Sequence, residues 1–458
     1  MMISTQSISV CSPRLPQPGI CTNSPVALSP LRRQASLTWS SCFPKVGRGC
    51  STLTAIKQAS PFSSSAEDAS ADVKVRATNT GGRHSTGTQT VELLEPISPP
   101  KLASTIDDQL PTLLAMIIDG FPPFQMCKYV HEAENRLHQY VERYQNVKYL
   151  DAYYRAGLSA AAYGHPGTID VDRLVGIGMN YGLQFLVDDL FFDTPSEFLQ
   201  EQYGISRDAR ESPQKIREYI DHLDAIFGQQ VQPSNPAPLI ETIMWEAGQY
   251  TLGLSNPEWF EVYVADLVEH HRSGSASEVD ILQGRNLYFQ DLESYADMRG
   301  ANVGGKFIQM MVEFGNDTYV PSVMRASPYF EKLTAVTSIH LGLVNDVFSY
   351  HKESALEQNP RNLITLLMEW EGKPFVETVY MAIDVVNTYA RTIVDLEAEA
   401  WNSTLRNHLH EIIALIVGNV YFSIMDKRYR HPDSIFPELR DMNQSWKILP
   451  DAEGHVGL

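Results

Sequence analysis

The chain has 458 residues, of which 43% are hydrophobic and 20% are charged, a composition typical of globular proteins. Its net charge of −19 is uneven, because residues 1–83 carry nine Lys or Arg and three Asp or Glu, which leaves −25 for the remainder. So acidic a body repels nucleic acid phosphates and offers no basic surface to anionic lipid. No run reaches the ~18 apolar residues of a membrane span, so we expect neither nucleic acid binding nor stable membrane insertion.

The first segment, residues 1–85, is basic and rich in Ser, Thr, Pro and Gly, and its first acidic residue is Glu67. This composition predicts an organelle transit peptide with a disordered linker, and the absence of a clear amphipathic Arg helix favours the plastid (chloroplast) over the mitochondrion. A disordered tail on a cytoplasmic protein is the alternative. Four of the five cysteines precede residue 51, so Cys127 alone remains in the body and no internal disulfide is expected there.

From about residue 105 onward, apolar residues recur at helical intervals, and two-residue alternation is scarce. The segment 171–192 is apolar nearly all round, which is typical of a helix inside a bundle. We therefore expect an all-α fold, a single α-helical bundle domain over residues 100–445. The pattern predicts helices over 128–163, 171–192, 212–230, 238–251, 257–272, 291–313, 330–353, 361–371, 374–400 and 403–426.

A ladder of oxygen-bearing side chains lies within the predicted 330–353 helix. Asn345, Ser349 and Glu353 are spaced four residues apart, so on an α-helix their side chains stack over successive turns and converge on one cation. An amide, a hydroxyl and a carboxylate oxygen suit Mg²⁺, which keeps phosphates and waters in its remaining positions. The ladder therefore predicts half of a metal-diphosphate site.

A second acidic cluster ends the apolar 171–192 helix. Asp188 and Asp189 are adjacent there, and Asp193 follows Asp189 at a spacing of four. An acidic end on an otherwise apolar helix is expected to point into a cavity rather than into solvent. The two clusters together predict a helical cavity with a metal-binding mouth.

These motifs resemble those of a known family. Asp188-Asp189-Leu190-Phe191-Phe192-Asp193 resembles the aspartate-rich DDxxxD motif of class I terpene synthases, and residues 345–353 are similar to their second metal motif, (N/D)Dxx(S/T)xxxE, at every defined position. Tyr295–Arg299 resembles the pyrophosphate-sensor segment, and Arg428-Tyr429 resembles the C-terminal Arg-Tyr pair. The resemblance spans roughly residues 100–440 and is greatest to the microbial-type, single-domain branch.

The resemblance implies a Mg²⁺-dependent enzyme that ionises an acyclic prenyl diphosphate, geranyl or farnesyl, and cyclises it or eliminates a proton to give a monoterpene or sesquiterpene. It implies three Mg²⁺ ions, with Mn²⁺ able to substitute. The implied metal ligands are Asp188, Asp189, Asp193, Asn345, Ser349 and Glu353, with the choice between Asp189 and Asp193 open. The implied catalytic groups that contact the substrate diphosphate are Arg299, Lys352, Arg428 and Tyr429.

The carbocation formed on ionisation needs an apolar, water-free wall, and aromatic faces stabilise a cation by about 0.5–2 kcal/mol per contact. Phe185, one turn before Asp189, is the best-placed aromatic residue for that role. The resemblance also implies a helix break after Arg299, near Asn302 and Val303, although the match there is loose.

Two other functions stay open at this point. A chain-elongating prenyltransferase would carry a second aspartate-rich motif, whereas the second motif here has Asn, Ser and Glu at its ligand positions. A catalytically silent isoprenoid-binding protein could keep the same fold. Substrate chain length, product skeleton and the choice between monomer and homodimer are not predicted by the sequence.

Overall fold

The computed structural model describes residues 106–442, apart from 145–146, 148, 193–196, 283–288 and 357–360, and describes only the backbone of 275–282 and 355–356. The described residues belong to the unit Val91–Leu458 of the chain. The segment 1–85, with its predicted transit peptide, lies outside the described residues. That interpretation therefore stays a prediction.

The described residues form α-helices and short 3₁₀ turns without any strand, so the all-α prediction is confirmed. The helices are α1 (Val130–Glu142), α2 (Leu150–Gly164), α3 (Val171–Phe191), α4 (Glu197–Gln202), α5 (Arg207–Arg210), α6 (Pro213–Phe227), α7 (Leu239–Leu254), α8 (Pro257–Leu282), α9 (Leu292–Asn302), α10 (Gly305–Asn316), α11 (Ser322–Arg325), α12 (Pro328–Tyr350), α13 (Leu363–Glu371), α14 (Phe375–Asp395) and α15 (Ser403–Met425).

Two of the predicted helices are each divided in two. The stretch predicted over 128–163 forms α1 and α2, and Tyr149 between them adopts a left-handed φ of 70°. The stretch predicted over 291–313 forms α9 and α10, with Gly304 at φ 72° between them. Glycine adopts this conformation without a Cβ clash, so the chain turns there directly after Asn302 and Val303.

The helices α2 and α3 approach each other closely enough for their backbones to touch. A Cβ atom on Gly157 would lie 2.2 Å from the amide nitrogen of Gly182 and 2.3 Å from the carbonyl oxygen of Gly178. No side chain fits between the helices at this crossing. Asp188 and Asp189 lie near the C-terminal end of α3, so the glycine contact helps to position these carboxylates.

The composition of α15 would also suit a membrane span, because Ser403–Met425 is long and apolar enough. However, 72% of its most apolar 18-residue window is buried inside the protein, where it packs among α2, α10 and α12. A core helix of a bundle has the same composition as a spanning helix. Packing accounts for the apolar residues of α15 without a membrane.

We expect Gly157→Ala to lower the free energy of unfolding by about 1–3 kcal/mol, because the added methyl group forces α2 and α3 apart. Gly253→Ala in α7 is the matched control, since nothing lies within 4 Å of its Cβ position. Alanine is the better helix former, so that variant should be as stable as the parent or slightly more so. Urea unfolding followed by circular dichroism measures both. Equal stability of the two variants would contradict the close crossing.

Candidate active site

A cavity of roughly 400 Å³ lies among α3, α8, α9, α10, α12 and α15, a volume within the range of small-molecule sites. Nine of the eleven predicted site residues line it: Phe185, Asp188, Arg299, Asn345, Ser349, Lys352, Glu353, Arg428 and Tyr429. Asp189 is not among the lining residues, and Asp193 lies outside the described residues. The sequence motifs therefore meet at one cavity, although they are up to 240 residues apart.

The end of α3 presents two adjacent carboxylates with different surroundings. Asp188 faces the cavity with 38% of its side chain exposed, and its Oδ2 lies 3.5 Å from Nη2 of Arg428. Asp189 instead accepts a 2.7 Å hydrogen bond on Oδ2 from the hydroxyl of Tyr153 on α2. Of these two groups, Asp188 is the one that can reach a ligand in the cavity directly.

The opposite rim is built by α12 and the segment after it. Asn345 and Ser349 lie one turn apart on α12, and the Ser349 hydroxyl donates to the Asn345 carbonyl oxygen at 2.7 Å. Beyond Tyr350 the helix widens into a π-helical segment, His351–Leu356, which contains Lys352 and Glu353. The prediction that all three ladder residues share one α-helix is correct for Asn345 and Ser349 and wrong for Glu353.

Asn362 supplies a physical reason for the wider turn. Its side-chain nitrogen donates to the backbone carbonyl of Asp346 at 2.7 Å and to Oε2 of Glu353 at 2.9 Å. A side chain that binds a helical carbonyl disturbs the regular hydrogen-bond ladder at that point. Single π turns of this kind are frequent at functional sites. Glu353 still lines the same cavity as Asn345 and Ser349.

Asp346 forms the buried centre of this rim. It is fully buried, and its Oδ2 accepts hydrogen bonds from the hydroxyl of Tyr295 and from the backbone N–H of Leu363 at 3.0 Å. Its Oδ1 accepts a 2.5 Å hydrogen bond from Nε of Arg299. A buried carboxylate is tolerated only when it is paired and hydrogen-bonded, and here two donors come from α9 and the third from the start of α13.

Arg299 joins this carboxylate to the predicted metal ligand. While Nε contacts Asp346, Nη2 donates to Oδ1 of Asn345 at 2.6 Å, and Nδ2 of Asn345 donates to the Tyr429 hydroxyl at 2.9 Å. A guanidinium group only donates, so the amide oxygen of Asn345 must face Arg299. Burial alone would lower the pKa of Arg299, but the Asp346 carboxylate outweighs it and raises that pKa above its ordinary value.

Arg428 and Tyr429 reach the cavity from a 3₁₀ turn, Lys427–Tyr429, directly after α15. The carboxylate of Asp426 accepts the backbone N–H of Arg428 at 2.9 Å and so begins this turn. The Arg428 guanidinium carbon lies 4.6 Å from the ring centroid of Phe185. One face of the Phe185 ring therefore contacts the Arg428 cation, while its predicted role toward a carbocation stays a prediction.

The donor set fits a hard divalent cation. Burial, followed by the nearby Asp346 carboxylate, raises the pKa of Glu353 to about 7, so a cation beside it would stabilise the ionised form. The Asn345 amide oxygen accepts from Arg299 and keeps a second lone pair, and the Ser349 oxygen keeps its lone pairs when its proton is donated. The described residues hold no cluster of three or more His, Cys, Asp or Glu, so the fit depends on mixed oxygen donors.

Below the charged rim, much of the cavity wall is apolar and aromatic. The side chains there come from α3, α9, α10, α12 and α15: Phe185, Met298, Phe307, Ile308, Leu341, Phe348, Leu415 and Phe422. Such a wall excludes water, and its aromatic rings can contact a cation. The site thus combines a mouth lined by oxygen atoms and cationic side chains with an apolar chamber.

Sequence reasoning named the ligand positions but missed the residues that hold them. Tyr295 and Asp346 lie inside the recognised motifs, and their aromatic and acidic character was a signal that they could pair. Tyr153 and Asn362 gave no signal, because each contacts its partner across a helix interface or around a chain reversal.

Comparison with known proteins agrees with this geometry. Residues 182–392 match the family model described as terpene synthase family 2, C-terminal metal binding. The chain is similar to the sesquiterpene synthase Agr3 of Cyclocybe aegerita, with 26% identity over 155 residues, 32% of this chain and 42% of that protein. It is likewise similar to the alpha-muurolene synthase of Coprinopsis cinerea, with 26% identity over 149 residues, 30% of this chain and 34% of that protein. The matched segments span less than half of these relatives.

Among solved structures, the germacradien-4-ol synthase of Streptomyces citricolor has the same fold, with a TM-score of 0.52 and 17% identity over 67% of this chain and 98% of that one. Identity this low supports the fold alone. The family match over residues 182–392 and this fold together support an α-helical metal-binding domain of the terpene synthase type. The chain is thus similar to the microbial-type class I terpene synthases.

We expect Asp188→Ala, Asn345→Ala and Glu353→Ala each to lower turnover on the order of 100-fold or more, because each removes an oxygen from a cavity rim that stabilises developing charge. Circular dichroism should show unchanged helical content, since none of the three is a packing residue. Glu331→Ala is the matched control, because Glu331 is an exposed carboxylate on the first turn of α12. Near-parental turnover in all three variants would contradict the assignment of these residues to a metal-binding rim.

We expect Arg299→Lys to lose most activity although it keeps the charge, since one ammonium group cannot contact Asp346 and orient the Asn345 amide together. Arg272→Lys, at an exposed arginine that pairs with Asp221, should be indistinguishable from the parent. Steady-state rates with a prenyl diphosphate measure both variants. Equal rates for the two would reduce Arg299 to a structural ion pair.

Proposed function

We propose that this protein is a Mg²⁺-dependent synthase that ionises an acyclic prenyl diphosphate and converts it to a monoterpene or sesquiterpene by cyclisation or elimination, with release of diphosphate. This proposal rests on one observation: two oxygen-lined rims, two arginines and an apolar chamber all belong to the same cavity. A hydrophobic chain with a highly charged head group is the ligand that such a cavity complements.

The residues divide the work between the mouth and the chamber. Asp188 on one rim and Asn345, Ser349 and Glu353 on the other would hold Mg²⁺, with Asp189 and Asp193 as further candidates. Bound there, Mg²⁺ supplies Lewis acidity and neutralises the negative charge of the leaving diphosphate. Three such ions, with Mn²⁺ as a substitute, follow from the family resemblance.

The cationic side chains bind and orient the head group. Arg428 suits bidentate contact with phosphate oxygens, and Lys352 supplies a point charge beside Glu353. Arg299 keeps the Asn345 oxygen turned toward the mouth and adds positive charge at the rim. Tyr429 anchors the other end of that amide, with its hydroxyl placed to contact the head group.

The chamber protects the carbocation that remains after diphosphate departs. Phe185 offers a ring face beside the rim, where positive charge first develops. Its apolar neighbours exclude bulk water, which would otherwise end the reaction before cyclisation. Farnesyl diphosphate is favoured over geranyl diphosphate, because similar proteins include a sesquiterpene synthase.

The proposal is tested by incubating the full chain with the C10, C15 and C20 diphosphates, with Mg²⁺ or with EDTA, followed by gas chromatography. We expect turnover that needs the metal, a terpene product rather than a longer prenyl diphosphate, and preference for C15 or C10. Growth of the chain on added isopentenyl diphosphate would indicate a prenyltransferase. Binding without diphosphate release would indicate a silent isoprenoid-binding protein.

A further inference from the structure

A group of polar side chains interrupts the apolar chamber on the wall formed by α3 and α8. Gln184 lies one turn before Asp188 on α3, and His270 and His271 lie on α8; all three line the cavity. None of them belongs to a metal motif or contacts the diphosphate rim through any of the hydrogen bonds described above. Polar groups in a chamber built for a carbocation need an explanation.

His271 is held rigidly in this wall. Its Nδ1 lies 2.6 Å from Oδ1 of Asp224, and its Nε2 lies 2.6 Å from Oε1 of Gln184. Asp224 and His271 are almost completely buried. The contacts from Asp224 through His271 hold the Gln184 side chain in place in the cavity wall.

The free end of that amide is buried but has no partner. Gln184 is only 7% exposed, and its Nε2 finds no acceptor within the described part of the chain. Leaving a buried amide group unpaired costs about 1–3 kcal/mol. If the amide were turned round, its oxygen would take the same place, and a molecule that both donates and accepts could serve either end.

His270 presents a complementary atom on the same wall. Its Nδ1 is buried without a partner among the described residues. Its ring centroid is 5.5 Å from that of His271, which in turn contacts Gln184. Burial, followed by the neighbouring His271, lowers the pKa of His270 to about 3, so the ring is neutral, and Nδ1 is an acceptor when Nε2 carries the proton.

We propose that Gln184 and His270 hold one water molecule in the chamber wall, and that this water captures the carbocation, so that the enzyme releases a terpene alcohol. Buried water typically makes two to four hydrogen bonds to otherwise unpaired polar groups, which is what these two residues offer. The inference rests on the proposed function, because it needs a carbocation in this cavity.

The chemical step balances without any further reactant. A lone pair of the water oxygen forms the C–O bond to the cationic carbon, and the oxonium proton passes to Nδ1 of His270. The neutral alcohol remains, and the imidazolium returns its proton to solvent when the cavity opens. Although burial makes His270 a weak base, an oxonium ion is a far stronger acid than any imidazolium. Asp224 and His271 act only as positioning residues for Gln184.

The test uses the full chain with farnesyl and geranyl diphosphates and Mg²⁺ in buffer made with H₂¹⁸O, with gas chromatography–mass spectrometry of the products and a separate assay of released diphosphate. We expect the parental protein to give an alcohol that is two mass units heavier. Gln184→Leu and His270→Leu should lower the alcohol-to-hydrocarbon ratio about tenfold, the effect of ~1.4 kcal/mol, while diphosphate release continues.

His340→Leu is the matched control, because His340 is fully buried with both ring nitrogens unpartnered in the described structure, yet it does not line the cavity. Its product ratio should equal that of the parent. Asp224→Asn should shift the ratio in the same direction as Gln184→Leu but by less. The labelling of the parental product needs no variant, so the inference stays testable even if one variant fails to fold.

Three results would contradict three separate claims: water capture, the role of the two residues, and the proposed function. Diphosphate release with only unlabelled hydrocarbon would overturn water capture and leave the proposed function standing. A labelled alcohol whose fraction is unchanged in Gln184→Leu and His270→Leu would overturn the assignment of the two residues. No diphosphate release from the parental protein with any substrate would instead overturn the proposed function.

Discussion

The buried carboxylate of Asp346 is the constraint on which the active site depends. An ionised group without water must be paired, and Asp346 finds its donors on α9, at the start of α13 and nowhere in its own turn. The hydrogen bonds to Asp346 hold Tyr295 and Arg299 of α9 against α12. They also hold the start of α13 against the same helix. The Asp346 carboxylate thus helps to position the rim residues Asn345 and Glu353, although it need not touch the ligand itself.

The hydrogen bonds around Asp346 continue to the other residues of the rim. Arg299 spans Asp346 and Asn345, Tyr429 holds the other end of the Asn345 amide, and Asn362 holds Glu353. The Asn345 amide oxygen is thus held by a hydrogen bond from Arg299. The Glu353 carboxylate is held by one from Asn362. Preorganised dipoles of this kind need no reorganisation when charge develops. Such electrostatic stabilisation is usually the largest single contribution to catalysis.

How much of this could be predicted from the sequence depends on the distance over which each contact acts. The helical ladder at Asn345 and Ser349 was predictable, because a spacing of four residues places side chains on one face whatever packs against them. The π turn at Glu353 was not, since it arises from Asn362, which returns to α12 only after a chain reversal. Asp189 turns to Tyr153 for a similar reason, because its environment is set by the glycine crossing of α2 and α3. Local periodicity gives the face of a helix, whereas tertiary contacts decide which member of an acidic pair reaches the cavity.

The polar wall of the chamber shows the same limit more strongly, and it also separates two kinds of selectivity. Asp224, His271 and Gln184 come from α6, α8 and α3, so no spacing in the sequence connects them. In the proposed function, the rim, which the motifs describe, governs whether a prenyl diphosphate ionises. The wall lies outside those motifs, yet in the proposed water capture it is where the cation is quenched. If ionisation and quenching are controlled by different helices, a change at Gln184 or His270 can alter the product without altering the rate of diphosphate loss. The shared motifs of related synthases then constrain the first step, and the residues between them are free to determine the last.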